Sequence, residues 1–166
     1  MYYRKSISSP LGSITLASDG HAIIGLWLEG QKHFLHSVRG EAYEEASLPV
    51  FDAAEDWLRR YFARERPDPC QLPLAPRGSE FRQLIWELLL QIPYGQVTTY
   101  GDLAKQAAAR LGKPSMSAQA VGGAVGHNPI SIIIPCHRVV GADGSLTGYA
   151  GGLHRKEALL RLERES

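Results

Sequence analysis

Residues 130–139 read Ile-Ser-Ile-Ile-Ile-Pro-Cys-His-Arg-Val, an apolar run that leads into a cysteine and a histidine. The β-branched residues predict a buried strand over Ile130–Ile134. Pro135 has no N–H to donate to a strand ladder, so it is predicted to end that strand. Cys136 is then expected at the end of a buried strand, with His137 directly after it. A cysteine is nucleophilic as the thiolate, and a neighbouring imidazole makes that form accessible.

A cysteine beside a histidine is a weak signal when taken alone. A lone cysteine is more often a small buried core residue than a nucleophile. The other cysteine, Cys70, lies in a proline-rich stretch, and neither cysteine belongs to a CxxC pair. The spacing therefore gives little support to a metal site, and a disulfide between Cys70 and Cys136 is not expected in a reducing compartment.

The composition bounds the class of protein. The chain has 166 residues, of which 44% are hydrophobic and 21% charged, as in globular proteins. It contains no run near the roughly 20 apolar residues that span a bilayer, and it does not begin like a signal peptide. We therefore expect a cytoplasmic protein with no membrane partner. The net charge of +1 divides into −2 over residues 1–76 and +3 over residues 77–166, which permits contact with phosphates without requiring it.

The chain is predicted to form two domains, residues 1–76 and residues 77–166. The first domain is predicted to contain three strands in a β-meander, then an amphipathic helix, then a proline-rich linker that cannot be helical. These segments are Tyr3–Ser8, Ser13–Ala17, Ala22–Leu28, Leu48–Arg64 and Arg66–Pro76.

The second domain is predicted to be mainly helical. Its helices are predicted over Glu80–Gln91, from Thr99 to Leu111, over Ala118–Gly126 and over Leu153–Glu163, and Ser79, Thr99 and Ser117 are the expected N-caps of the first three. The short helices that flank Gly112-Lys113-Pro114 indicate a helix-turn-helix. A hairpin turn is predicted at Gly141–Gly144, followed by a glycine-rich loop at Gly148–Gly152.

The helix predicted over Ala118–Gly126 is unusual, because it carries glycine at positions 122, 123 and 126. Each glycine costs about 1 kcal/mol relative to alanine inside a helix. A slender helix suits close approach to a narrow groove that is read by its shape. Tight packing against a neighbouring helix or sheet would also explain the glycines, and the residues alone favour this second explanation.

Four motifs, in this order and spacing, resemble the O6-alkylguanine-DNA alkyltransferase family. They are Ala120–Ala124 with Asn128-Pro129, then Pro135–Val139, then Gly148–Gly152, then Lys156-Glu157. The match spans about residues 78–164 and is highly specific. The resemblance implies an N-terminal α/β domain of ribonuclease-H-like topology, followed by a mainly α C-terminal domain of the helix-turn-helix, winged-helix-like type.

The resemblance also implies an activity, which is direct repair of DNA. An O6-alkylated guanine is flipped out of the duplex, and its alkyl group moves irreversibly to a cysteine, once per protein molecule. Cys136 would be the acceptor and His137 would take its proton through a water, while Glu163 would orient His137. Tyr100 would protonate the departing guanine, which makes it a better leaving group.

Further site residues and partners follow from the same resemblance. It assigns DNA binding and base flipping to Ala118, Gln119, Ala120, Gly122, Gly123, Asn128 and Arg138. It assigns the alkylguanine pocket to Ile134, Val139, Tyr149, Ala150 and Gly151. It implies no cofactor and no metal, because the damaged DNA donates the alkyl group. The implied partner is double-stranded DNA that carries O6-alkylguanine, bound by a monomer or cooperatively along the DNA, while repair of O4-alkylthymine stays open.

Two residues depart from the family pattern. Gln119 stands where the family usually carries an arginine that fills the gap left by the flipped base. Glutamine is uncharged and has no guanidinium to stack, so we expect the flipped state to be held less firmly. Ala150 stands where serine is frequent, so one hydrogen bond to the guanine oxygen is expected to be missing.

Two other functions compete with the transferase. A non-catalytic, alkyltransferase-like module would bind the lesion for other repair proteins. Such modules usually carry tryptophan in place of the cysteine, so Cys136 argues against this alternative. A cysteine hydrolase would use Cys136 with His137 as its base. Adjacent side chains on a strand point to opposite faces, which argues against that pairing.

Overall fold

The computed structural model describes residues 1–165, which divide into two compact units. The first unit holds Met1–Arg77 together with Pro129–Ile133. The second holds Gly78–Asn128 and the residues from Ile134 onward. Residues 129–133 therefore belong to the first unit, although the prediction of two contiguous domains, 1–76 and 77–166, places them in the second domain.

The first unit is built on a four-stranded sheet with the strand order β3-β2-β1-β4. The strands are β1 (Tyr2–Ser9), β2 (Gly12–Ser18), β3 (Ile23–Leu28) and β4 (Tyr43–Glu45). The first three are antiparallel, so the predicted meander is confirmed. The parallel edge strand β4 was not predicted, because its Tyr-Glu-Glu sequence is exposed and shows no apolar alternation.

One helix, α1 (Pro49–Phe62), completes the first unit. Proline at its start is well tolerated, because the first N–H groups of a helix have no partner within the helix. Its buried residues recur at helical spacing and are Val50, Phe51, Ala54, Trp57, Leu58 and Tyr61. The helix was predicted correctly to within two residues at either end.

The proline-rich stretch Arg66–Pro76 is not the simple linker that the sequence predicted. Pro69–Gln71 forms a short 3-10 helix, so the expectation that nothing here could be helical was wrong. The segment then runs alongside β3, where the Ile23 N–H donates to the Pro73 carbonyl and the Ala75 N–H donates to the Ile23 carbonyl, both at 2.8 Å. Proline lacks a donor but keeps its carbonyl, which is the group used here.

The strand predicted over Ile130–Ile134 is also wrong. Ile130 makes a single bridge to Leu26, and a turn follows in which the Ile133 N–H donates to the Ser131 carbonyl at 2.8 Å. Ile132 has a φ of 71° in that turn, which is uncommon for a β-branched residue. All five residues are nevertheless buried. The apolar run predicted the burial of these residues correctly, but a continuous apolar run does not specify the backbone conformation.

The second unit is mainly helical and contains α2 (Glu80–Leu90), α3 (Tyr100–Leu111), α4 (Ala118–Gly126) and α5 (Leu153–Arg164). The three predicted N-caps are confirmed. The hydroxyl oxygens of Ser79, Thr99 and Ser117 accept hydrogen bonds from backbone N–H groups at 3.3, 3.1 and 3.2 Å, respectively. The indole N–H of Trp86 donates to the Ala124 carbonyl at 2.9 Å and so ties α2 to α4.

Two short strands in the second unit were not predicted, namely β5 (Thr98–Thr99) and β6 (Val139–Val140). They pair in parallel and bring the start of α3 close to the segment that follows Cys136. The turn predicted at Gly141–Gly144 forms, with the Gly144 N–H donating to the Gly141 carbonyl at 2.8 Å. It does not connect a hairpin, because β6 pairs with β5 instead. Among residues 1–165, no helix has the length and apolar character that a membrane crossing requires.

Candidate active site

The predicted nucleophile lies in a 3-10 helix over Cys136–Arg138, not at the end of a strand. This helix connects Pro135 to β6, and its three side chains are all buried. Cys136 is 5% exposed and His137 is fully buried. A reactive side chain in this position is held by packing on every side, so its orientation does not depend on a mobile surface loop.

Glu163 of α5 lies directly against His137. The Nε2 atom of His137 and the Oε2 atom of Glu163 are 2.6 Å apart. Burial lowers the pKa of His137, and the nearby Glu163 carboxylate opposes that shift only in part. The ring is therefore neutral at neutral pH and able to take up a proton.

The Arg138 side chain meets the same carboxylate. Its Nε and Nη2 atoms donate to the two oxygens of Glu163 at 2.8 and 3.1 Å, and Nη1 donates to the Ile92 carbonyl at 2.7 Å. The Gly95 N–H adds a further hydrogen bond to Glu163 at 3.1 Å. Burial would raise the pKa of Glu163, but His137 and Arg138 outweigh it and lower that pKa well below its usual value.

The position of Arg138 corrects one sequence-based assignment. Arg138 was placed among the DNA-binding residues, yet its guanidinium is buried and committed to Glu163 and Ile92. Its observed hydrogen bonds therefore support the His137–Glu163 pair. The sequence did not predict the contact between Arg138 and Glu163, because the two residues are 25 positions apart.

Asn128 braces the segment that carries the thiol. Its amide nitrogen donates to the Ile134 carbonyl at 2.9 Å. Burial raises the pKa of the Cys136 thiol, while a hydrogen bond from the Asn128 side chain and the positive charge of Lys156 lower it. The resting thiol is therefore protonated, with two groups nearby that favour its anion.

Lys156 was quoted only as part of a motif and received no role from the sequence, yet its charge acts on both Cys136 and His137. Its side chain is fully buried, and its ammonium donates to the carbonyls of Val139, Thr147 and Gly148 at 2.5, 2.9 and 3.2 Å. A buried lysine is rare in proteins. The only sequence signal was its fixed distance from the glycine-rich loop.

Tyr100 begins α3 and is half-buried beside the same loop. Its hydroxyl donates to the Thr147 carbonyl at 3.2 Å. Burial raises the pKa of Tyr100, so the hydroxyl keeps its proton at neutral pH. Negative charge on Cys136 would raise the pKa of Tyr100 further.

The predicted pocket residues come from two segments of the second unit. Ile134 and Val139 flank the 3-10 helix and are fully buried. Tyr149, Ala150 and Gly151 belong to the loop that precedes α5, where the Gly152 N–H donates to the Tyr149 carbonyl at 2.9 Å. Tyr149 and Ala150 are half-buried and Gly151 is buried, so this loop has a surface side and an interior side.

The outer face of α4 is smooth and exposed. Ala118, Gln119 and Ala120 are exposed, as is Gly123. A Cβ atom at Gly123 or Gly126 would meet no atom within 4 Å, and one at Gly122 would only touch the Tyr100 ring at 3.9 Å. Tight packing, the explanation that the sequence favoured for these glycines, is therefore wrong.

Comparison with known proteins identifies both halves of the chain. Residues 1–76 match the family model described as 6-O-methylguanine DNA methyltransferase, ribonuclease-like domain. Residues 80–165 match the model described as 6-O-methylguanine DNA methyltransferase, DNA binding domain. The methylated-DNA–protein-cysteine methyltransferase of Mycobacterium tuberculosis is 43% identical over 99% of this chain and 93% of its own. The protein of the same name from Haemophilus influenzae is 42% identical over 94% of this chain and 83% of its own.

Solved structures agree with these relatives. The crystal structure of Mycobacterium tuberculosis OGT in complex with DNA superimposes with a TM-score of 0.83, at 42% identity over 98% of this chain and 93% of that one. The O6-methylguanine-DNA methyltransferase of Pyrococcus kodakaraensis superimposes with a TM-score of 0.69, at 25% identity over 98% of this chain and 99% of that one. With both domain models matched and near-complete overlap with these relatives, the chain belongs to the 6-O-methylguanine DNA methyltransferase family.

Proposed function

We propose that this protein repairs O6-alkylguanine in double-stranded DNA by moving the alkyl group onto its own Cys136. One observation carries the proposal: a buried thiol lies next to a histidine whose ring is held by a buried carboxylate. In a chain of this family, that arrangement provides an acceptor, a base and an orienting group. The transfer is stoichiometric, because the resulting thioether is not cleaved under cellular conditions.

The first step is removal of the Cys136 proton. His137 uses Nε2 for Glu163, so Nδ1 is the ring nitrogen that takes the proton, through a water. The imidazolium that forms is stabilised by Glu163, whose pKa is lowered and which stays a carboxylate throughout. Arg138 keeps that carboxylate oriented through two hydrogen bonds. These residues together make the thiolate accessible in a site that would otherwise keep the thiol neutral.

The second step is attack of the Cys136 sulfur on the alkyl carbon. A sulfur–carbon bond forms while the bond from that carbon to guanine O6 breaks, and its electron pair stays on the guanine. Tyr100 then gives its proton to guanine N3, which neutralises the leaving group, and the Tyr100 phenolate regains a proton from solvent as His137 releases to solvent the proton that it took from Cys136. Backbone N–H groups near Gly151 would meet the guanine oxygen as charge develops on it.

DNA recognition is assigned to α3 and α4, which form the helix-turn-helix. The exposed, small residues of α4 support close approach to the minor groove, since nothing in the protein occupies the space beside Gly123. In this proposal the modified guanine leaves the stack, and Gln119 fills the gap with an uncharged side chain. Contacts to phosphates make the binding weaker as salt rises.

The competing functions are less well supported. A lesion-binding module without transfer does not need a buried thiol with a base and a carboxylate behind it. The sequence-based argument against a cysteine hydrolase was that adjacent side chains on a strand point to opposite faces. That argument does not apply here, because Cys136 and His137 lie in a 3-10 helix and not on a strand. Family membership is now the reason to prefer the transferase over the hydrolase.

Three finer points belong to the proposal. The lesion is O6-methylguanine in the first instance, and the protein acts as a monomer. A cytoplasmic location suits the chemistry, because reducing conditions keep the acceptor thiol free. No metal or organic cofactor takes part in the steps described above.

The test is mass spectrometry of the intact protein and its peptides after mixing with a duplex that contains one O6-methylguanine. The expected result is one added methyl group per protein, located on the peptide that contains Cys136. The exposed Cys70 serves as an internal control and should stay unmodified. Tight binding to the lesion without any adduct would overturn the transferase and favour the lesion-binding module.

A further inference from the structure

We propose that Lys156 is a positioning residue of the transfer reaction, whose ammonium fastens the glycine-rich loop beside Cys136 and favours the ionised thiol. This inference rests on the proposed function and deepens it. Lys156 is a buried charged residue that has no role in the two chemical steps of the proposed function.

The geometry of Lys156 is that of a fastening point. An ammonium has three N–H donors, and here each reaches a backbone carbonyl. One carbonyl belongs to Val139, the first residue after the 3-10 helix that carries Cys136. The other two belong to Thr147 and Gly148, at the start of the loop that leads to the pocket residues. A single side chain thus ties this loop to the segment that carries the nucleophile.

Tyr100 shares this fastening point. Its hydroxyl donates to the Thr147 carbonyl, which also accepts from Lys156. Movement of Thr147 would therefore displace the partner that orients the Tyr100 hydroxyl. Lys156 in this way sets the position of the proposed proton donor as well as that of the loop.

The charge of Lys156 has no carboxylate partner within residues 1–165. Arg138, the other buried cation, is matched by Glu163. Burying an unpaired charge is costly, so an anion is expected nearby in some state of the protein. The anion that the reaction generates is the Cys136 thiolate.

The titratable and charged groups around Cys136 are Tyr100, His137 and Lys156, with Arg138 and Glu163 behind His137. Glu163 and Arg138 offset each other, and the resting His137 and Tyr100 are neutral. Lys156 is then the uncompensated charge that acts on the thiol. The coupling is reciprocal, since Lys156 lowers the pKa of Cys136 and ionised Cys136 raises the pKa of Lys156 against the lowering effect of burial.

Two substitutions separate the charge from the hydrogen bonds. Lys156→Gln removes the charge but keeps two N–H donors on a shorter side chain, whereas Lys156→Met removes both the charge and the donors. Both are made in a Cys70→Ser background, so that Cys136 is the only thiol. Arg161→Met is the matched control, because Arg161 is an exposed cation on the same helix and, within residues 1–165, forms an ion pair only with the exposed Glu157.

The first readout is the rate of Cys136 alkylation by iodoacetamide as a function of pH. Both Lys156 variants are expected to shift the midpoint upward by about one pH unit, and Arg161→Met should leave it in place. The second readout is amide hydrogen exchange over residues 141–152. Exchange should accelerate strongly in Lys156→Met and less in Lys156→Gln, because the glutamine still donates.

A midpoint unchanged in Lys156→Gln would overturn the inference, whatever the transfer rate. That variant decides the matter alone if Lys156→Met does not fold. Methyl transfer from an O6-methylguanine duplex is measured on the same samples. If the parent protein accepts no methyl group, the proposed function is refuted. If the parent accepts a methyl group and the Lys156 variants keep the pH profile of its alkylation, only the role of Lys156 is refuted.

Discussion

The second unit contains two regions of opposite character. Around Cys136, the buried polar side chains lie at hydrogen-bond distance from one another. The Glu163 carboxylate, for example, has three hydrogen-bond partners, namely His137, Arg138 and the Gly95 N–H. Along α4, the exposed side chains are small, and the space beside Gly123 is open. The first region is a network of buried polar contacts, whereas the second is an exposed surface of small side chains.

This difference separates chemistry from recognition. Preorganised groups stabilise charge without having to rearrange during a reaction, and the burial of Cys136, His137 and Glu163 fits their proposed roles as acceptor, base and orienting carboxylate. In the proposed complex with DNA, a surface that reads shape needs access more than polar groups, and the alanine and glycine of α4 fit that need. Substitutions in the first region should therefore affect reaction and folding, while those in the second should affect binding to DNA.

The largest effect is expected for Cys136→Ser. A serine hydroxyl has no accessible anion in this site, so methyl transfer from an O6-methylguanine duplex should fall below detection while binding to that duplex persists. Mass spectrometry and a binding assay on the same samples measure the two properties. Cys70→Ser is the matched control and should transfer normally, since Cys70 is exposed and lies outside the site. Loss of lesion binding in Cys136→Ser would break the separation between chemistry and recognition.

The next effect concerns Glu163→Gln, which leaves buried Arg138 without its anionic partner. Removing one member of a buried ion pair costs about 3–5 kcal/mol, so the free energy of unfolding should fall by an amount of that order. Urea denaturation measures this change, and the rate of methyl transfer should fall with it. Glu157→Gln, on the same helix and in an exposed pair with Arg161, should change neither quantity. Equal effects of the two substitutions would show that the buried cluster is not preorganised as described.

Acid should act on the same cluster. The folded-state pKa values of both His137 and Glu163 lie below their unfolded values. Each group therefore contributes stability that is present above its unfolded pKa and is lost as the pH falls towards its folded pKa. The free energy of unfolding should decline from about pH 6.5, where unfolded histidine begins to bind protons, and decline further below about pH 4.3, where unfolded glutamate does.

Urea denaturation at a series of pH values checks this expectation. In Glu163→Gln the second phase of the decline should be smaller, because the carboxyl group with the lowered pKa is absent. A stability that rises between pH 6.5 and pH 5 would contradict a neutral, buried His137.

These two regions also differ in how well the sequence predicted them. The bounds and cap of α4 were predicted from Ser117 and from local helix signals, which depend on neighbouring residues. The strand over Ile130–Ile134 was wrong, because hydrophobicity alone cannot tell a buried strand from a buried turn. Lys156 and Arg138 could not have been assigned from the residues alone. Their partners lie on other segments, and only the folded chain brings them together.

Glu163 and Tyr100 are instructive intermediate cases. The motif resemblance proposed both, and the structure has Glu163 within 2.6 Å of His137, although a carboxylate near the C-terminus is usually solvated. Their reaction roles stay predictions until the chemistry is measured. Short-range patterns thus predicted the helices, and the motif resemblance proposed the nucleophile, while the supporting contacts required the tertiary structure.

A smaller effect is expected for Gln119→Arg on the exposed face of α4. In the proposed complex, arginine would fill the gap left by the flipped base with a charged guanidinium that can stack, so duplex binding should tighten and its salt dependence should steepen by roughly one released counterion. Titration of a labelled lesion duplex at several salt concentrations measures both. The free energy of unfolding and the reactivity of Cys136 should stay at their parent values, because Gln119 is exposed and belongs to the recognition face. Unchanged or weaker binding would count against a role for Gln119 at the DNA.

The smallest effect, and the sharpest test of the comparison, is expected for Gly123→Ala. A methyl group there meets nothing within 4 Å in the protein, so the substitution should stabilise α4 by up to about 1 kcal/mol. The same methyl group would face the DNA, so duplex binding should weaken while stability rises. Gly126→Ala is the matched control, because its space is equally open but it ends the helix, at the opposite end from Ala118, Gln119 and Ala120. It should raise stability and leave binding unchanged. If both variants bound duplex as the parent does, the glycines of α4 would serve neither packing nor DNA approach.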